Sequence, residues 1–298
     1  MEDVMVIGGG AAGLNAALIL SRARRRVLVV DSGTPRNAAA QEVHGFVSRD
    51  GTPPADLLAA GRAEVERYGG RVVAGEVRAV RRGDGFEVEL ADEVVRARRV
   101  IVATGLRDEL PDVPGLRERW AREVLHCPYC HGWEVRDQPL GVLGTHPGSV
   151  HQALLVRQWS DDVVFFAEVL DDDGRARLTA RGVRIVDGMV SGLVVEDDAL
   201  RGVRLADGTV VARSALFVAP TFVPNDALLT GLGCERNDEG WVRVDPSGLT
   251  SVPGVWAVGN VTDFAVQVVT AAAAGAKAAI AVNMDLIEDE LLDAQAVG

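Results

Sequence analysis

The feature that most constrains this fold is an internal duplication: a strand, a loop, a helix and a second strand follow one another twice along the chain. The first copy has its strands at 4–7 and 27–30, and the second has them at 140–143 and 163–166. A β-meander and a closing strand then follow in each copy. Because a β-α-β unit builds a parallel sheet with helices packed on it, the repeat predicts an α/β protein with two three-layer domains.

Two proline-containing crossovers separate the copies. Beyond the second crossover, an apolar strand at 255–259 and a helix over 268–286 have no counterpart in the second copy. We therefore expect these two elements to return and complete the first domain. This arrangement predicts one domain made of 1–113 and 245–298, with a second domain, 114–244, inserted into it.

A glycine-rich loop joins the first strand to the first helix. It reads Gly8-Gly9-Gly10-Ala11-Ala12-Gly13, fits the pattern G-x-G-x-x-G, and is followed by an acid at the end of the next strand. Because Gly10 has no Cβ, a pyrophosphate can approach the backbone, and the helix N-terminus offers free N–H groups. The acid can accept hydrogen bonds from an adenosine ribose. These features predict a Rossmann-like dinucleotide site that includes Gly8, Gly10, Ala12, Gly13 and Asp31.

The composition argues against several classes of function. The 298-residue chain has a formal net charge of −12 and no sustained basic stretch, so we expect no nucleic-acid partner. It has no uninterrupted apolar run of membrane-spanning length, so we expect no membrane segment. The start, Met-Glu-Asp, lacks the basic and apolar regions of a secretory signal, and we therefore expect the protein in the cytoplasm.

Two of the three cysteines form the pattern His126-Cys127-Pro128-Tyr129-Cys130-His131. Such a pair can switch between dithiol and disulfide at low cost, and a neighbouring His can activate one thiol, because the thiolate is the nucleophile. The pair can also be half of a zinc site, but such a site needs two further ligands and the chain has no second C-x-x-C. The pattern favours a redox pair and no metal. The third cysteine, Cys234, is expected to be an unpaired thiol.

Two further segments, Ala103-Thr104-Gly105 and Gly259-Asn260, come at the ends of predicted strands of the first domain. With the glycine loop and the C-x-x-C pair, they make nearly the whole chain resemble the low-molecular-weight thioredoxin reductases, in domain order and in both crossovers. The resemblance implies that the first domain binds FAD rather than NAD, and that the protein is a homodimer. It also implies that the cysteine pair lies in the second domain and exchanges electrons with the flavin.

The resemblance also assigns cofactor contacts at these two segments. The segment 103–105 matches the turn that follows closure of the FAD domain in that family. Gly259 and Asn260 match a Gly-Asp segment that hydrogen-bonds the ribityl chain of the flavin. Asn260 stands where the family has Asp. Its carbonyl oxygen can still accept a hydrogen bond and its amide also donates, so the resemblance still implies FAD binding.

Other cofactor contacts come from less specific parts of the match. Gln267 and Val268 match the start of the helix whose N-terminus faces the flavin ring in the resembled family. The stretch from residue 35 to 46 replaces the family's usual loop at the edge of the flavin. Within it, we expect Arg36 and Asn37 near the cofactor and His44 near the substrate.

By the same resemblance, Cys130 faces the flavin and Cys127 attacks the external sulfur. The family usually has Asp as a proton carrier after the second cysteine, whereas this chain has His131. Imidazole titrates near neutral pH, so His131 can take a thiol proton and return one, and His126 is a second candidate for this role. The pattern Cys-x-x-Cys-His-Gly is closer to that of gliotoxin- and holomycin-type dithiol oxidases. Those flavoproteins oxidise a small dithiol to a cyclic disulfide and pass the electrons to oxygen.

The second glycine loop departs from the pattern of a nucleotide site. It reads Gly144-Thr145-His146-Pro147-Gly148-Ser149, so an imidazole stands where the pyrophosphate needs a glycine, and a proline removes one N–H donor. After the next strand the chain has Glu168 and then the acids 171–173, which would repel the 2′-phosphate of NADPH. Glu168 can still accept a hydrogen bond from the ribose of NADH. The sequence therefore argues against productive use of NADPH.

The sequence leaves several functions open. The leading hypothesis is an FAD-dependent dithiol oxidase that takes electrons from a small dithiol through Cys127 and Cys130. The alternatives are an NADPH-dependent thioredoxin reductase that acts on a thioredoxin-like protein, a ferredoxin-linked disulfide reductase, and a non-catalytic flavin redox sensor. The redox partner of the flavin separates these alternatives, and His131 favours the dithiol oxidase.

Overall fold

The computed structural model describes residues 1–297 and contains two compact units. The first unit consists of Met1–Gln41, Thr52–Arg107 and the chain from Val223 onward. The second unit consists of Glu42–Gly51 and Asp108–Phe222. The second unit is therefore inserted into the first, as the sequence predicts, and it also includes a ten-residue segment from the first third of the chain.

The first unit is built on one large sheet with helices packed against it. Its strands are β1 Glu2–Ile7, β2 Val27–Asp31, β3 Arg71–Ala74, β4 Ala79–Gly83, β5 Gly85–Glu89, β6 Val94–Val102 and β17 Val255–Ala257. Its helices are α1 Ala11–Arg22, α2 Pro54–Arg67, α6 Ala227–Gly231 and α7 Val268–Val297, with a short 3-10 helix at Gly259–Val261.

The sheet of the first unit has the strand order β3-β2-β1-β6-β5-β4, and β17 pairs with β6. The strands β1, β2, β3, β6 and β17 are parallel, whereas β4 and β5 add an antiparallel hairpin. Residues 3–7 of β1 are all buried, which is typical of a parallel strand covered on both faces. The predicted return of the chain through β17 and α7 is confirmed.

The second unit repeats the first on a smaller scale. Its strands are β8 Val124–Leu125, β9 Leu140–Gly144, β10 Val163–Ala167, β11 Arg184–Asp187, β12 Val190–Glu196, β13 Ala199–Leu205, β14 Val210–Ala212 and β15 Ala215–Val218, and its helices are α3 Pro128–His131, α4 Ser149–Val156 and α5 Asp172–Ala180. A parallel sheet has the order β11-β10-β9-β15-β8, and β12, β13 and β14 form an antiparallel sheet of three strands. The α/β fold class with two Rossmann-like units is confirmed.

The chain passes between the units within two short strands, β7 Leu106–Glu109 and β16 Thr221–Pro224. The sequence placed these passages after 113 and after 244, so the boundaries differ from the prediction. The largest difference concerns residues 223–244, which belong to the first unit. The reason is hydrophobic: side chains in this stretch are buried in a core that includes β4 and β5 of the first unit.

Two further details follow from the helices. The helix α4 ends at Val156, and Trp159 lies in the turn that follows it. Among residues 1–297, no helix combines the length and the apolar composition needed to cross a membrane.

Candidate active site

One edge of the first sheet brings the predicted cofactor segments together. In the register of the parallel strands, Ile7 pairs with Val30 and with Val102, and Val102 also pairs with Ala257. The glycine loop, Asp31 and the segments after 102 and 257 therefore all begin at the carboxyl ends of neighbouring strands. In open α/β sheets, ligands bind at this end of the strands.

Close backbone contacts fix the two outer glycines of the loop. Gly8 has a φ of +107°, and a Cβ on it would lie 2.4 Å from the carbonyl oxygen of Ala103. A Cβ on Gly13 would lie 1.9 Å from the carbonyl oxygen of Gly8. Any side chain at either position would collide with backbone, so both glycines are explained by packing alone.

Packing does not explain why the middle residue of the loop, Gly10, is a glycine. No atom lies within 4 Å of the place that a Cβ on Gly10 would occupy, so packing of the described chain does not require a glycine there. Gly10 is the N-cap of α1, and no side chain caps that helix end. The first turn of a helix leaves backbone N–H groups without intrahelical partners. The open space and the uncapped donors fit the pyrophosphate of a dinucleotide.

Asp31 is held in place from two sides. Its Oδ1 accepts a hydrogen bond from the backbone N–H of Gly9 at 3.1 Å, and its Oδ2 accepts one from Nη2 of Arg62 at 2.7 Å. The Arg62 contact was not identified from the sequence, because nothing in the spacing links a residue of α2 to the end of β2. These contacts orient the carboxylate beside the glycine loop, where the prediction places a ribose hydroxyl.

The segment 103–105 connects β6 to the passage into the second unit. The hydroxyl of Thr104 donates to the carbonyl oxygen of Asn225 at 2.7 Å, and Nδ2 of Asn225 donates back to the carbonyl oxygen of Thr104 at 3.0 Å. The N–H of Asn225 also donates to the carbonyl oxygen of Gly105 at 3.0 Å. Asn225 therefore holds the turn, although no motif in the sequence identifies it.

Ala12 and Gly259 show how closely the first unit packs around the glycine loop. Gly259 has a φ of +77°, and a Cβ on it would lie 3.1 Å from the Cβ of Ala12. A Cβ on Gly275 of α7 would lie 2.0 Å from the carbonyl oxygen of Ala12. Small residues at these three positions let α1, α7 and the turn after β17 approach one another.

Asn260 uses its amide group as a donor to the loop that precedes α7. Its Nδ2 lies 3.1 Å from the carbonyl oxygen of Asp263, 3.3 Å from that of Phe264 and 2.9 Å from that of Val266. An aspartate carboxylate has no hydrogen to donate to these carbonyls. The departure from the family's Asp therefore has a local structural role: Asn260 organises the backbone before α7.

Four other predicted cofactor residues of the first unit are exposed or partly exposed. Arg36 and Asn37 are in the stretch between β2 and α2, where the carbonyl of Asn37 accepts a hydrogen bond from the N–H of Ala40 at 3.0 Å. Gln267 is exposed and directly precedes α7, and Val268 is the first residue of that helix. Their contacts with FAD stay predictions.

The two redox cysteines are joined by a disulfide bond. Their Cα atoms are 5.3 Å apart, and Cys127 is the N-cap of the short helix α3. The N–H groups of Cys130 and His131 both donate to the carbonyl oxygen of Cys127 at 3.1 Å. In the described part of the chain, no cluster of His, Cys, Asp and Glu is arranged to hold a metal ion. Cys234 is a free, buried thiol, as predicted, and burial raises its pKa.

Aromatic packing holds the redox helix against α4 and the turn after it. A Cβ on Gly132 would lie 2.5 Å from the carbonyl oxygen of Pro128 and 2.8 Å from the ring of Trp159. Tyr129 meets Trp159 edge to face, with ring centroids 5.6 Å apart. The glycine after His131 therefore allows the disulfide loop to lie directly on Trp159.

His131 lies close to the disulfide and is largely buried. Its Nδ1 is shielded from solvent and makes no hydrogen bond of ordinary geometry within residues 1–297. Burial lowers the pKa of His131 below 6.5, because the charged imidazolium is less well solvated there, and the positive charge of His44 lowers it further. Glu134 and the carbonyl of Cys127 oppose this shift. His131 is therefore neutral at pH 7 and can accept a thiol proton.

His126 has an anchoring contact on the other side of the pair. Its Nδ1 lies 3.2 Å from the carbonyl oxygen of Val218, and its ring meets Phe222 edge to face at 5.1 Å. The buried Gln152 donates to the carbonyl oxygens of His126 at 2.7 Å and of Val218 at 3.3 Å. Gln152 was not identified from the sequence. The contacts of His126 account for a positioning role, and its catalytic role stays a prediction.

The second glycine loop is closed by its own side chains. Nδ1 of His146 accepts a hydrogen bond from the N–H of Gly148 at 3.0 Å, and the N–H of His146 lies 3.3 Å from Oγ of Ser149. The imidazole of His146 thus takes up the backbone N–H of Gly148, the N-cap residue of α4, as a hydrogen-bond donor. Oε1 of Glu168 accepts from the N–H of Val190 at 2.8 Å, so one of its carboxylate oxygens is already engaged.

The acids after Glu168 and the nearby arginines are also engaged. Oδ1 of Asp171 caps α5 by accepting from the N–H of Gly174 at 2.7 Å. Arg175 forms an ion pair with Asp187 at 2.5 Å, and Arg177 lies 3.7 Å from Asp173. These contacts hold acidic side chains in the stretch where the resembled family has a basic cluster.

Comparisons with known proteins agree with this geometry. The sequence model of a family described as pyridine nucleotide-disulphide oxidoreductase matches residues 2–276. Thioredoxin reductase tcpT of Claviceps purpurea is 33% identical over 278 residues, which cover 87% of this chain and 86% of that protein. Thioredoxin reductase sirT of Leptosphaeria maculans is 32% identical over 308 residues, which cover 96% and 94% of the two proteins. The crystal structure of HlmI has a TM-score of 0.97 at 58% identity and covers 99% of this chain and 96% of that one.

Proposed function

The chain belongs to the pyridine nucleotide-disulphide oxidoreductase family, and we propose that it is a dithiol oxidase, in which Cys127 and Cys130 pass electrons from a small dithiol to FAD. It is a thioredoxin reductase-like disulfide oxidoreductase. The observation that carries the finer assignment is the pairing of an intact disulfide with the largely buried His131, in a unit whose glycine loop is closed by His146.

The cradle of the first unit fits FAD by its own chemistry. The open space at Gly10 and the uncapped start of α1 suit a pyrophosphate, and the oriented carboxylate of Asp31 suits a ribose. FAD bound there supplies the two-electron acceptor that restores the disulfide, with dioxygen as the final acceptor and hydrogen peroxide as its product.

The protein's own residues account for the oxidation of the dithiol. One substrate thiolate attacks the sulfur of Cys127, which breaks the disulfide and releases Cys130 as a thiolate. The second substrate thiolate then attacks the mixed disulfide, so that the substrate leaves as a disulfide and Cys127 leaves as a thiolate. The substrate has lost two electrons and two protons, and the cysteine pair has gained the two electrons. His131 holds one of these protons and later gives it to water or back to a thiol, and the other proton goes directly to water.

The second unit supports a proposal that NADPH is not the electron donor. His146 takes an N–H group that a pyrophosphate would use, and Glu168 is hydrogen-bonded to the backbone of Val190. The carboxylates of 171–173 add repulsion toward a 2′-phosphate. Each of these contacts lowers the affinity for NADPH, and none of them interferes with thiol–disulfide exchange.

The finer assignments of partner and location are part of the same proposal. The partner is a small dithiol or disulfide rather than nucleic acid, in keeping with the net charge of −12. Exposed apolar side chains on α7, including Ile280, Met284 and Leu291, support a homodimer. The free thiol of Cys234 supports a reducing compartment, and we place the protein in the cytoplasm.

Anaerobic mixing with alternative electron donors tests the proposed function. The purified, FAD-loaded protein is mixed with NADPH, with NADH or with dithiothreitol, and the visible absorbance of the flavin is followed. The proposal expects bleaching by dithiothreitol alone. Rapid bleaching by NADPH would instead make the protein a nucleotide-dependent thioredoxin reductase, and no bleaching by any donor would favour a redox sensor or a ferredoxin-linked enzyme.

A further inference from the structure

A histidine from the first third of the chain lies among three carboxylates in the redox unit. Nε2 of His44 is 3.5 Å from Oε1 of Glu134 and 3.5 Å from Oε2 of Glu42, and its Nδ1 is 3.4 Å from Oδ1 of Asp50. The side chain of His44 is 18% exposed, whereas that of Glu134 is 43% exposed. The cluster therefore reaches from a shielded imidazole to a carboxylate in contact with water.

The segment 42–51 has contacts of its own that set the place of His44. Val43 is buried, and its carbonyl oxygen accepts a hydrogen bond from the N–H of Gly51 at 2.9 Å. The N–H of Gly45, which has a φ of +76°, donates to Oδ1 of Asp50 at 2.9 Å. The segment is thus a closed loop of the second unit, and the buried Val43 anchors it next to His44.

The chemistry of the redox pair requires a route by which protons leave. His131 directly follows Cys130, but its Nδ1 is buried and makes no ordinary hydrogen bond within the described chain. A proton taken from a cysteine thiol would remain on a poorly solvated imidazole unless a neighbouring group stabilised it and passed it on. Glu134 follows His131 by three residues and interacts with it electrostatically, as does His44.

We propose that Glu134 and His44 form the proton exit of the redox pair, with Glu134 stabilising the protonated His131 and His44 holding Glu134 in place. This inference rests on the proposed function. When a cysteine thiol is deprotonated, its proton moves to His131, then to a water at the exposed carboxylate of Glu134, and the sulfur keeps the bonding electron pair. His44 is a positioning residue, and its ring nitrogens also lie within 3.5 Å of carboxylate oxygens of Glu42 and Asp50.

Chemical rescue distinguishes this role from simple support of the loop. The FAD-loaded protein and its His44→Ala variant are reduced anaerobically by dithiothreitol between pH 6 and pH 9, and the flavin absorbance is followed. We expect the variant to react about tenfold more slowly at pH 7, within the range of a lost proton-transfer aid. Added imidazole should restore several-fold of the rate, because a soluble base can take the proton from His131 when Glu134 is no longer held in place. His151→Ala, which removes an exposed histidine of α4, is the matched control and should react like the parent.

Two results would overturn the proposal. One is a His44→Ala variant that reacts like the His151→Ala control at every pH. The other is a slower variant that does not respond to imidazole, since a damaged loop cannot be repaired by a soluble base. If the parent itself is not reduced by dithiothreitol, the proposed function fails. A second measurement, which does not depend on reduction, then tests whether the cluster interacts with His131.

The second measurement is the titration of His131 by NMR in protein with labelled histidines. The chain has five histidines, so assignment by single substitution is practical. Glu134→Gln should lower the pKa of His131, because it removes a stabilising negative charge. The exposed Glu118, which lies outside the cluster, provides the control substitution Glu118→Gln. Titrations of His131 that are identical in all variants would show that the cluster is not coupled to the redox pair.

Discussion

The Nδ1 atom of His146 accepts a hydrogen bond from the backbone N–H of Gly148 at a distance of 3.0 Å. In a nucleotide-binding loop, N–H groups at the start of the helix are donors to phosphate oxygens. Here the N–H of Gly148 is satisfied within the chain, by the side chain that stands where the sequence lacks the expected glycine. The first unit has the opposite arrangement, because no side chain caps α1 at Gly10. The two copies of the same supersecondary structure thus differ at the loop position that Gly10 occupies in the first copy and His146 in the second.

The loop contact gives the first prediction. His146→Gly should tighten binding of NADH by about tenfold, or about 1.4 kcal/mol, since it frees one donor and removes a bulky ring. Isothermal titration calorimetry of the parent and the variant measures this difference. NADPH should still bind poorly, because the carboxylates after β10 remain. An unchanged affinity for NADH, with His151→Ala as control, would mean that the loop is not what limits nucleotide binding.

The glycine loop of the first unit separates a packing role from a binding role. Gly13→Ala should destabilise the protein by at least about 3 kcal/mol, because its Cβ would meet the carbonyl oxygen of Gly8. Gly10→Ala should change the free energy of unfolding by no more than about 1 kcal/mol, since its Cβ would enter open space. FAD content should nevertheless fall in Gly10→Ala. Denaturant unfolding of the apoprotein and the absorbance of the purified protein check the two effects, and equal FAD content in Gly10→Ala and the parent would argue against the cradle.

Much of this arrangement could be predicted from the sequence, because it depends on local patterns. The repeat of strand, loop, helix and strand gave the two sheets, and the glycine spacing gave the cradle. The contacts that joined distant segments could not be predicted in this way. Arg62 reaches Asp31 and Asn225 holds Thr104 only once the chain has folded, and neither pair has a spacing that reveals it.

The location of residues 42–51 and 223–244 shows a second limit of sequence patterns. The prolines and the duplication indicated where the chain turns, but they did not indicate which core each segment joins. Residues 223–244 bury Leu229, Cys234 and Val242 in the core of the first unit. His44 was expected near the substrate, and the structure places it beside Glu134 in the unit that carries the disulfide. Its contact with a substrate remains a prediction.

His131 predicts a specific dependence of the reaction on pH. Burial lowers the pKa of His131, so the base is neutral and active down to a pH below 6.5. The rate of reduction by dithiothreitol, corrected for the ionisation of that reagent, should therefore fall only when the pH drops below this value. In His131→Asn the acidic limb of the profile should be lost together with most of the rate. A parent profile that falls at a pH well above 6.5 would contradict the assignment of His131 as the base.

The same residue makes a contribution to stability whose sign can be worked out. Below pH 6.5 the unfolded chain protonates this histidine, whereas the folded protein keeps it neutral to a lower pH. The unfolded state then binds more protons, so the contribution of His131 to stability is present above pH 6.5 and is lost as the pH falls toward the folded pKa. Denaturant unfolding at a series of pH values should show a weaker loss of stability with acid in His131→Asn than in the parent. Equal slopes would indicate that the histidine is solvated.

Asn260 gives a prediction about the loop before α7. Asn260→Ala should cost about 1–3 kcal/mol of stability, because three carbonyl groups lose their shared donor. Asn260→Asp should cost more than the alanine variant, since a carboxylate would face the same carbonyls without a hydrogen to donate. Thermal unfolding and FAD content of both variants check this order. Greater stability of the aspartate variant would mean that the amide is not the donor described.

Anaerobic reduction of cysteine variants tests the central claim most directly. The account predicts that dithiothreitol bleaches the flavin of the parent, whereas Cys127→Ser and Cys130→Ser retain FAD and stay oxidised under the same conditions. A Cys130→Ser variant that is bleached at the rate of the parent would contradict the account, because electrons would then reach the flavin without passing through the disulfide.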